Sequence, residues 1–166
     1  MILAVDVHYR DSTAIVAGVA FNSWLDSKPE IFYKSSVKDV LEYSSGAFYK
    51  REMPCILALL EEHKLVPNTI VIDGHVYLDD SKKPGLGKYL FDNFEGSINV
   101  IGVAKKGFIG LGDDHKVLRG NSQKPLYITS VGLDLLKVKR DIINMHGEYR
   151  IPTILKLADS MCREKS

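Results

Sequence analysis

The stretch NTIVIDGHVYLDD (68–80) indicates the kind of fold to expect. Residues 69–72 form an unbroken run of β-branched and aliphatic side chains, which is typical of a strand covered on both faces. The run ends on Asp73, and Gly74 follows. In open α/β sheets, ligands bind where the parallel strands end. The stretch therefore predicts a buried strand that carries a carboxylate to a site at the sheet edge.

The segments around this stretch alternate between strand and helix patterns. Strand patterns occupy residues 1–9, 13–21, 30–34, 99–105 and 125–130, and helical patterns occupy 51–63, 85–94, 133–145 and the segment after Pro152. The first two strands are separated only by a short polar turn, which predicts an antiparallel hairpin. The order of elements predicts an α/β fold whose mixed sheet is covered by helices on both faces.

Length and composition limit the class of protein. The chain has 166 residues, of which 45% are hydrophobic, and this fits one domain, 1–166. A net charge of +1 neither indicates nor excludes a nucleic-acid partner. Cys55 and Cys162 lack metal-binding spacing, which favours reduced thiols in a cytoplasmic protein. No apolar run approaches the roughly 20 residues of a membrane span, so we expect no membrane partner.

Three acidic residues stand in elements that converge on one edge of the predicted sheet. Asp6 lies inside an apolar strand, Glu52 in the first turn of a predicted helix, and Asp73 at a strand end. Clustered carboxylates repel one another unless a cation compensates, and oxygen ligands favour Mg²⁺ or Mn²⁺. Lys105 ends another strand and would add positive charge beside an anionic substrate. The pattern indicates metal-assisted phosphodiester hydrolysis.

Each of these residues also has an ordinary structural explanation. An aspartate at a strand end, such as Asp73, is often a turn residue. A glutamate in a first helical turn, as predicted for Glu52, interacts favourably with the helix dipole. Lys105 and Lys106 fit a solvated strand end. Asp6 is harder to explain, because acids are rare inside apolar strands. Spacing alone leaves both interpretations open.

Five segments, in order, resemble the motifs of the endonuclease V family. They are AVDVHYRD (4–11), EYSSGAFYKREMP (42–54), VIDGH (71–75), VIGVAKK (100–106) and YRIPTILKLAD (149–159). The resemblance implies a ribonuclease H-like fold. It implies that Asp6, Glu52 and Asp73 are the metal ligands and that Lys105 is the active-site lysine. It also implies that Tyr43 is a wedge between bases.

Two histidines expected from the family are replaced by other residues. In LDDSKKPGLG (78–87), Asp79 stands in the place of a histidine, or Asp80 does if an insertion lies earlier. After the glycine of TSVG, Leu133 stands where a histidine is expected, and Asp134 follows it. Asp79 or Asp134 is therefore a candidate for a further metal ligand. A polar turn and a helix cap are the alternative interpretations.

The resemblance implies a Mg²⁺-dependent endonuclease, with Mn²⁺ able to substitute. It would hydrolyse DNA or RNA near deaminated bases such as inosine, as in DNA repair, and leave a 3′-hydroxyl and a 5′-phosphate. We expect a monomer. The candidates for nucleic-acid contacts are Tyr43, Arg51, Gly74, Gly102 and Lys106. Because the wedge segment and the two histidines depart from the family, a non-catalytic nucleic-acid-binding or adaptor protein on the same fold is the alternative.

Overall fold

The computed structural model describes residues 1–42 and 47–164. These residues form a mixed sheet with the strand order β3-β2-β1-β4-β5-β7-β6. The strands are β1 (Ile2–Arg10), β2 (Thr13–Phe21), β3 (Ile31–Val37), β4 (Thr69–Asp73), β5 (Asn99–Ala104), β6 (Lys116–Val117) and β7 (Leu126–Val131). The central strands β1, β4 and β5 are parallel, and the outer pairs are antiparallel.

Helices cover both faces of this sheet, as predicted. They are α1 (Phe48–His63), α2 (Leu86–Asn93), α3 (Leu135–Asn144) and α4 (Thr153–Arg163). On β1, Leu3, Val5 and Val7 pack in the apolar cluster of α1 and α2, whereas Ala4 packs in that of α3 and α4. Side chains alternate between the faces of a strand, so Asp6 shares the face of Ala4 and points toward the layer of α3 and α4.

The predicted elements are present, with two informative differences. Helix α1 begins at Phe48, so Glu52 lies beyond the first turn and the helix-dipole explanation for it is removed. The polar interval after β5 holds a 3₁₀ turn (Asp113–His115) and the two-residue strand β6, neither of which was predicted. Such short elements have no apolar periodicity that a sequence pattern would reveal.

None of the described helices combines the length and the apolar composition needed to cross a bilayer.

Candidate active site

The register of the parallel strands brings three of the predicted residues together. Val5 of β1 pairs with Ile72 of β4, so the next residue along β1, Asp6, lies beside the end of β4 at Asp73. Asp73 in turn pairs with Val103 of β5, two residues before Lys105. Asp6, Asp73 and Lys105 all line one cavity of about 40 Å³. The rest of its lining is largely apolar, and it has room for water-sized groups.

A third carboxylate enters this cavity from helix α4. Asp159 lines it, with a side chain that is 13% exposed. One carboxylate oxygen of Asp6, one of Asp159 and the Sγ of Cys162 all lie within 4.8 Å of one another. Asp159 is the last residue of the segment YRIPTILKLAD (149–159), and no role was predicted for it. An acid next to the apolar stripe of Ile154, Ala158 and Cys162 was the available signal.

Asp6 carries an uncompensated charge in this setting. It is 8% exposed, and burial raises its pKa to about 7. The negative charges of Asp73 and Asp159 contribute to this rise, while a hydrogen bond from the Val7 N–H (2.9 Å) partly offsets it. A carboxylate in this position is costly to keep charged, and a cation would reverse the penalty.

Glu52, on helix α1, lies close enough to Asp6 and Asp73 for their charges to raise its pKa. It is 5% exposed, and burial raises its pKa to about 7. The Tyr9 hydroxyl donates a hydrogen bond to Glu52 Oε2 (2.5 Å), which lowers the pKa, while the charges of Asp6 and Asp73 raise it. Arg51 stacks over the Tyr9 ring at 3.6 Å from its centroid. The Tyr9 hydroxyl therefore fixes the Glu52 carboxylate, and the charge of Arg51 also lowers its pKa.

The positive charge of Lys105 partly compensates the negative charges of Asp73 and Asp159. Burial by the surrounding protein raises the pKa of Asp73, and the charge of Lys105 lowers it. Burial also raises the pKa of Asp159, but the hydrogen bond and charge of Arg163, together with Lys105, bring it below its usual value. The bond from Arg163 Nε to Asp159 Oδ1 is 2.8 Å long. Lys105 thus lies close to two carboxylates, where an anionic phosphate would also bind.

The donor set fits a divalent cation. Asp6, Asp73 and Asp159 supply carboxylate oxygens around one cavity, and Glu52 adds a fourth acid whose pKa responds to two of them. Hard oxygen donors of this kind suit Mg²⁺ and Mn²⁺. Burial and the charges of neighbouring acids raise the pKa values of Asp6, Glu52 and Asp73, and a bound cation would relieve both effects.

The two other candidate ligands lie elsewhere. Asp79 and Asp134 line a separate groove of about 460 Å³, and neither lines the acidic cavity. Asp134 is the N-cap of α3 and accepts a hydrogen bond from the Lys137 N–H (3.1 Å). Asp79 accepts one from the Lys83 N–H (3.0 Å). The structure thus corrects the proposed further ligand: local backbone donors hold both residues, and Asp159 is the acid that joins the cavity.

The residues that were predicted to contact nucleic acid differ in their burial and in their neighbours. Gly102 is buried, and a Cβ atom there would lie 2.5 Å from the Gly74 carbonyl oxygen, so its role is close backbone packing rather than contact with a ligand. Around Gly74 the nearest atoms to an added Cβ are 3.9 Å away. Lys106 is exposed, whereas Arg51 stacks on Tyr9. Tyr43 lies outside the described residues.

The sequence of the chain matches a known protein family. The sequence profile of the Endonuclease V family matches residues 1–141. The chain belongs to this family. It is 27% identical to an Endonuclease V of Streptomyces avermitilis, in an alignment that covers 98% of this chain and 79% of that protein. Family membership confirms the predicted class, an endonuclease.

Solved structures of Endonuclease V share the fold. The crystal structure of the Streptomyces avermitilis enzyme matches with a TM-score of 0.77 and 25% identity, over 98% of this chain and 79% of that one. Human ENDOV matches with a TM-score of 0.74 and 21% identity, over 98% and 82%. A Ciona intestinalis Endonuclease V, solved with DNA that contains an inosine, matches with a TM-score of 0.77 and 18% identity, over 98% and 83%. The predicted ribonuclease H-like fold is confirmed.

Proposed function

We propose that the chain is a metal-dependent endonuclease that hydrolyses DNA or RNA near deaminated bases such as inosine. The observation that carries the proposal is the convergence of Asp6, Asp73, Asp159 and Lys105 on one cavity. The likeness to an Endonuclease V solved with inosine-containing DNA supports the substrate class. We also propose that residues 1–166 work as one domain and as a monomer.

The ion would be Mg²⁺, with Mn²⁺ able to replace it, held by Asp6, Asp73 and Asp159 with Glu52 beside them. When bound, such an ion neutralises charge on the scissile phosphate and makes water a better nucleophile. The buried carboxylates give the site its negative charge, and their raised pKa values mean that binding the ion releases protons near neutral pH.

Lys105 would contribute directly to the transition state. Its ammonium group lies near Asp73 and Asp159, where it is placed to stabilise a non-bridging phosphate oxygen as charge develops there. The oxygen of water bonds to phosphorus, the bond to the 3′ oxygen breaks, and that oxygen takes up a proton. The products are a 3′-hydroxyl and a 5′-phosphate. Apolar residues such as Val103 and Leu155 limit competing water at the cavity.

The altered base would bind outside the acidic cavity. A cavity of about 40 Å³ admits water-sized groups and phosphate oxygens but not a nucleobase. A Cβ atom added at Gly74 would make only ordinary contacts, at 3.9 Å, and we propose the backbone there, next to Asp73, as the surface for an extruded base.

The direct test is cleavage of end-labelled oligonucleotides, single- and double-stranded, DNA and RNA, each with and without one inosine. Reactions are run with Mg²⁺, with Mn²⁺ and with a chelator, beside an Asp73→Asn variant. We expect metal-dependent cutting near inosine that this variant loses.

The other outcomes separate the parts of the proposal. Cutting without regard to inosine would retain the nuclease and reject the base specificity. Binding without cutting under any condition would reject the enzyme in favour of a nucleic-acid-binding protein on the same fold.

A further inference from the structure

The turn after the active-site lysine presents an apolar side chain to solvent. In the turn 108–111, the Leu111 N–H donates a hydrogen bond to the Phe108 carbonyl oxygen (3.0 Å). Ile109 lies at its tip and is fully exposed, and Phe108 is 48% exposed. Among the large apolar residues that the structure describes, Ile109 has the highest exposure. Isolated exposed apolar residues are common, so the surroundings of this turn decide its meaning.

The turn is fixed in place on both sides. Gly107 packs so closely on Tyr127 that an added Cβ atom would lie 2.5 Å from its ring. Gly110 packs on Asp79 in the same way, at 2.7 Å. The Asp80 N–H donates to the Gly110 carbonyl oxygen (2.9 Å). The side chain of Ile109 is therefore held out from the protein by an ordered backbone.

The residues under Phe108 add to this support. The Phe108 ring meets the edge of the buried His75 ring, with 4.8 Å between the ring centroids. Leu111, which ends the turn, is 7% exposed and anchors it in the protein. The Asp80 carboxylate accepts a hydrogen bond from the Gly112 N–H (3.1 Å), just beyond the turn. Part of the acidic pair Asp79–Asp80 thus supports the loop, and not the metal cluster.

The turn lies close in sequence to the proposed cleavage site. Lys105 lines the acidic cavity, and only Lys106 and Gly107 separate it from Phe108. Arg150 donates a hydrogen bond to the Lys105 carbonyl oxygen (2.7 Å), which fixes the base of the loop. Lys106 is exposed beside the turn. The turn thus has two lysines before it and an apolar tip a few residues from the proposed cleavage site, and such a tip fits the stacked bases of nucleic acid.

We propose that Phe108 and Ile109 form an apolar wedge that enters the base stack of the nucleic acid beside the cleavage site. The inference rests on the proposed endonuclease function. Apolar side chains inserted between base steps unstack them, and enzymes that act on an altered base must first take it out of the stack. The ordered turn lowers the entropic cost of this insertion, because Ile109 is already extended before nucleic acid binds.

The test measures base unstacking separately from cleavage. A duplex carrying one inosine and a neighbouring 2-aminopurine is titrated with protein in chelator, and the rise in 2-aminopurine fluorescence reports opening of the stack. The variant is Ile109→Ser. Because the Ile109 side chain is fully exposed, its replacement leaves the core intact. The matched control is Val66→Ser: Val66 is 82% exposed and lies before β4, at the end of that strand opposite Asp73.

We expect the wild type and Val66→Ser to raise the fluorescence and Ile109→Ser to lose most of the rise. Cleavage of the duplex with metal should fall about tenfold or more in Ile109→Ser, in line with the contribution of a stacked base. Cleavage of a single-stranded inosine substrate, which has no duplex to open, should change by no more than about twofold. Ile109→Met should restore duplex cleavage.

Two results would overturn the wedge. One is a full fluorescence rise with Ile109→Ser while Tyr43→Ser loses it, which would assign the wedge to Tyr43. The other is equal loss of duplex and single-strand cleavage in Ile109→Ser, which would indicate a role in binding alone. A wild type that opens the stack through Ile109 but cuts nothing would support the wedge and count against the endonuclease function, so the two failures are distinguishable.

Discussion

Two groups of acidic residues in this protein differ in how their charges are compensated. In the groove beside α3, the carboxylates lie on the surface, and local backbone donors satisfy them. Each accepts one backbone N–H at 3.0–3.1 Å: Asp79 from Lys83, Asp80 from Gly112, and Asp134 from Lys137. Asp80 also lies 3.4 Å from the imidazole of His115. These acids need no ion, because protein groups already hold them.

Asp6, the most buried acid of the cavity, lacks this balance. Asp6 also accepts a backbone N–H, from Val7, yet burial and the nearby charges of Asp73 and Asp159 still raise its pKa to about 7. A hydrogen bond alone is therefore not enough when a buried carboxylate lies beside like charges. This difference indicates that buried, mutually repelling acids are the sign of a metal site, whereas a high local count of acids is not.

The strongest test of this comparison exchanges one carboxylate for an amide in each group. We expect Asp159→Asn to lower the rate of metal-dependent cleavage more than about 100-fold, because a lost ligand should cost more than a lost supporting residue. Asp134→Asn should change the rate by less than about threefold, since asparagine also caps helices. Single-turnover cleavage of the inosine oligonucleotide measures both.

Calorimetric titration with Mn²⁺ provides a readout that does not depend on catalysis. Asp159→Asn should weaken the binding of Mn²⁺, and Asp134→Asn should leave it unchanged. Equal effects of the two substitutions on metal binding would remove the distinction between the cavity and the groove.

A second comparison uses the adjacent lysines at the end of β5. Both lysines are exposed, but Lys105 lines the cavity and Lys106 does not. Lys105→Ala should lower the single-turnover rate about 100-fold with little change in binding, because its charge acts in the transition state. Lys106→Ala should instead weaken binding and reduce the salt dependence of binding by about one phosphate contact. Reversed behaviour of the pair would show that Lys105 only binds.

The sequence was sufficient for the central sheet because its strands are strongly patterned. The strand that ends at Asp73 is apolar throughout, and the acid inside β1, Asp6, conflicts so clearly with its apolar neighbours that a special role was predictable. Parallel pairing then places Asp6 beside Asp73 with no further information. Strand β6 has two residues, and no pattern can reveal an element of that length.

The third acid of the cavity, Asp159, was missed for a physical reason. The helical pattern after Pro152 predicted α4, but the position of Asp159 depends on how that helix packs across the sheet against β1, which is a long-range contact. Asp79 was a candidate for a further ligand because it stands in the place of a histidine, and Asp134 because it follows Leu133, which stands in the place of another; a polar turn and a helix cap were the alternative interpretations. Nearby backbone N–H groups hold both carboxylates instead.

The repulsion in the cavity should also appear as a stability cost in the metal-free protein. The pKa of Asp6 in the folded state, about 7, lies above its ordinary value of 3.8. The folded state therefore binds protons more tightly than the unfolded state, and stability is lost as pH rises from about 4 to 7. In chelator at pH 7.5, Asp6→Asn should raise the free energy of unfolding by about 1–3 kcal/mol.

Urea denaturation at pH 5 and pH 7.5 checks this sign. The gain from Asp6→Asn should shrink at pH 5, where Asp6 is already protonated in the folded wild type. Added Mn²⁺ should stabilise the wild type at pH 7.5 more than it stabilises the variant. A variant that is less stable than the wild type in chelator at pH 7.5 would show that Asp6 is already compensated within the protein.

A substitution in the groove should change the free energy of unfolding in the opposite direction, and by the smallest amount among these variants. Asp134→Ala removes the side chain that accepts the Lys137 N–H, so it should lower the free energy of unfolding by about 1 kcal/mol. Metal-dependent cleavage should persist. The same denaturation experiment compares it with Asp6→Asn, and the two acids should differ in sign. Stabilisation by Asp134→Ala would mean that this carboxylate is also strained, and metal binding would then have to be tested in the groove as well as in the cavity.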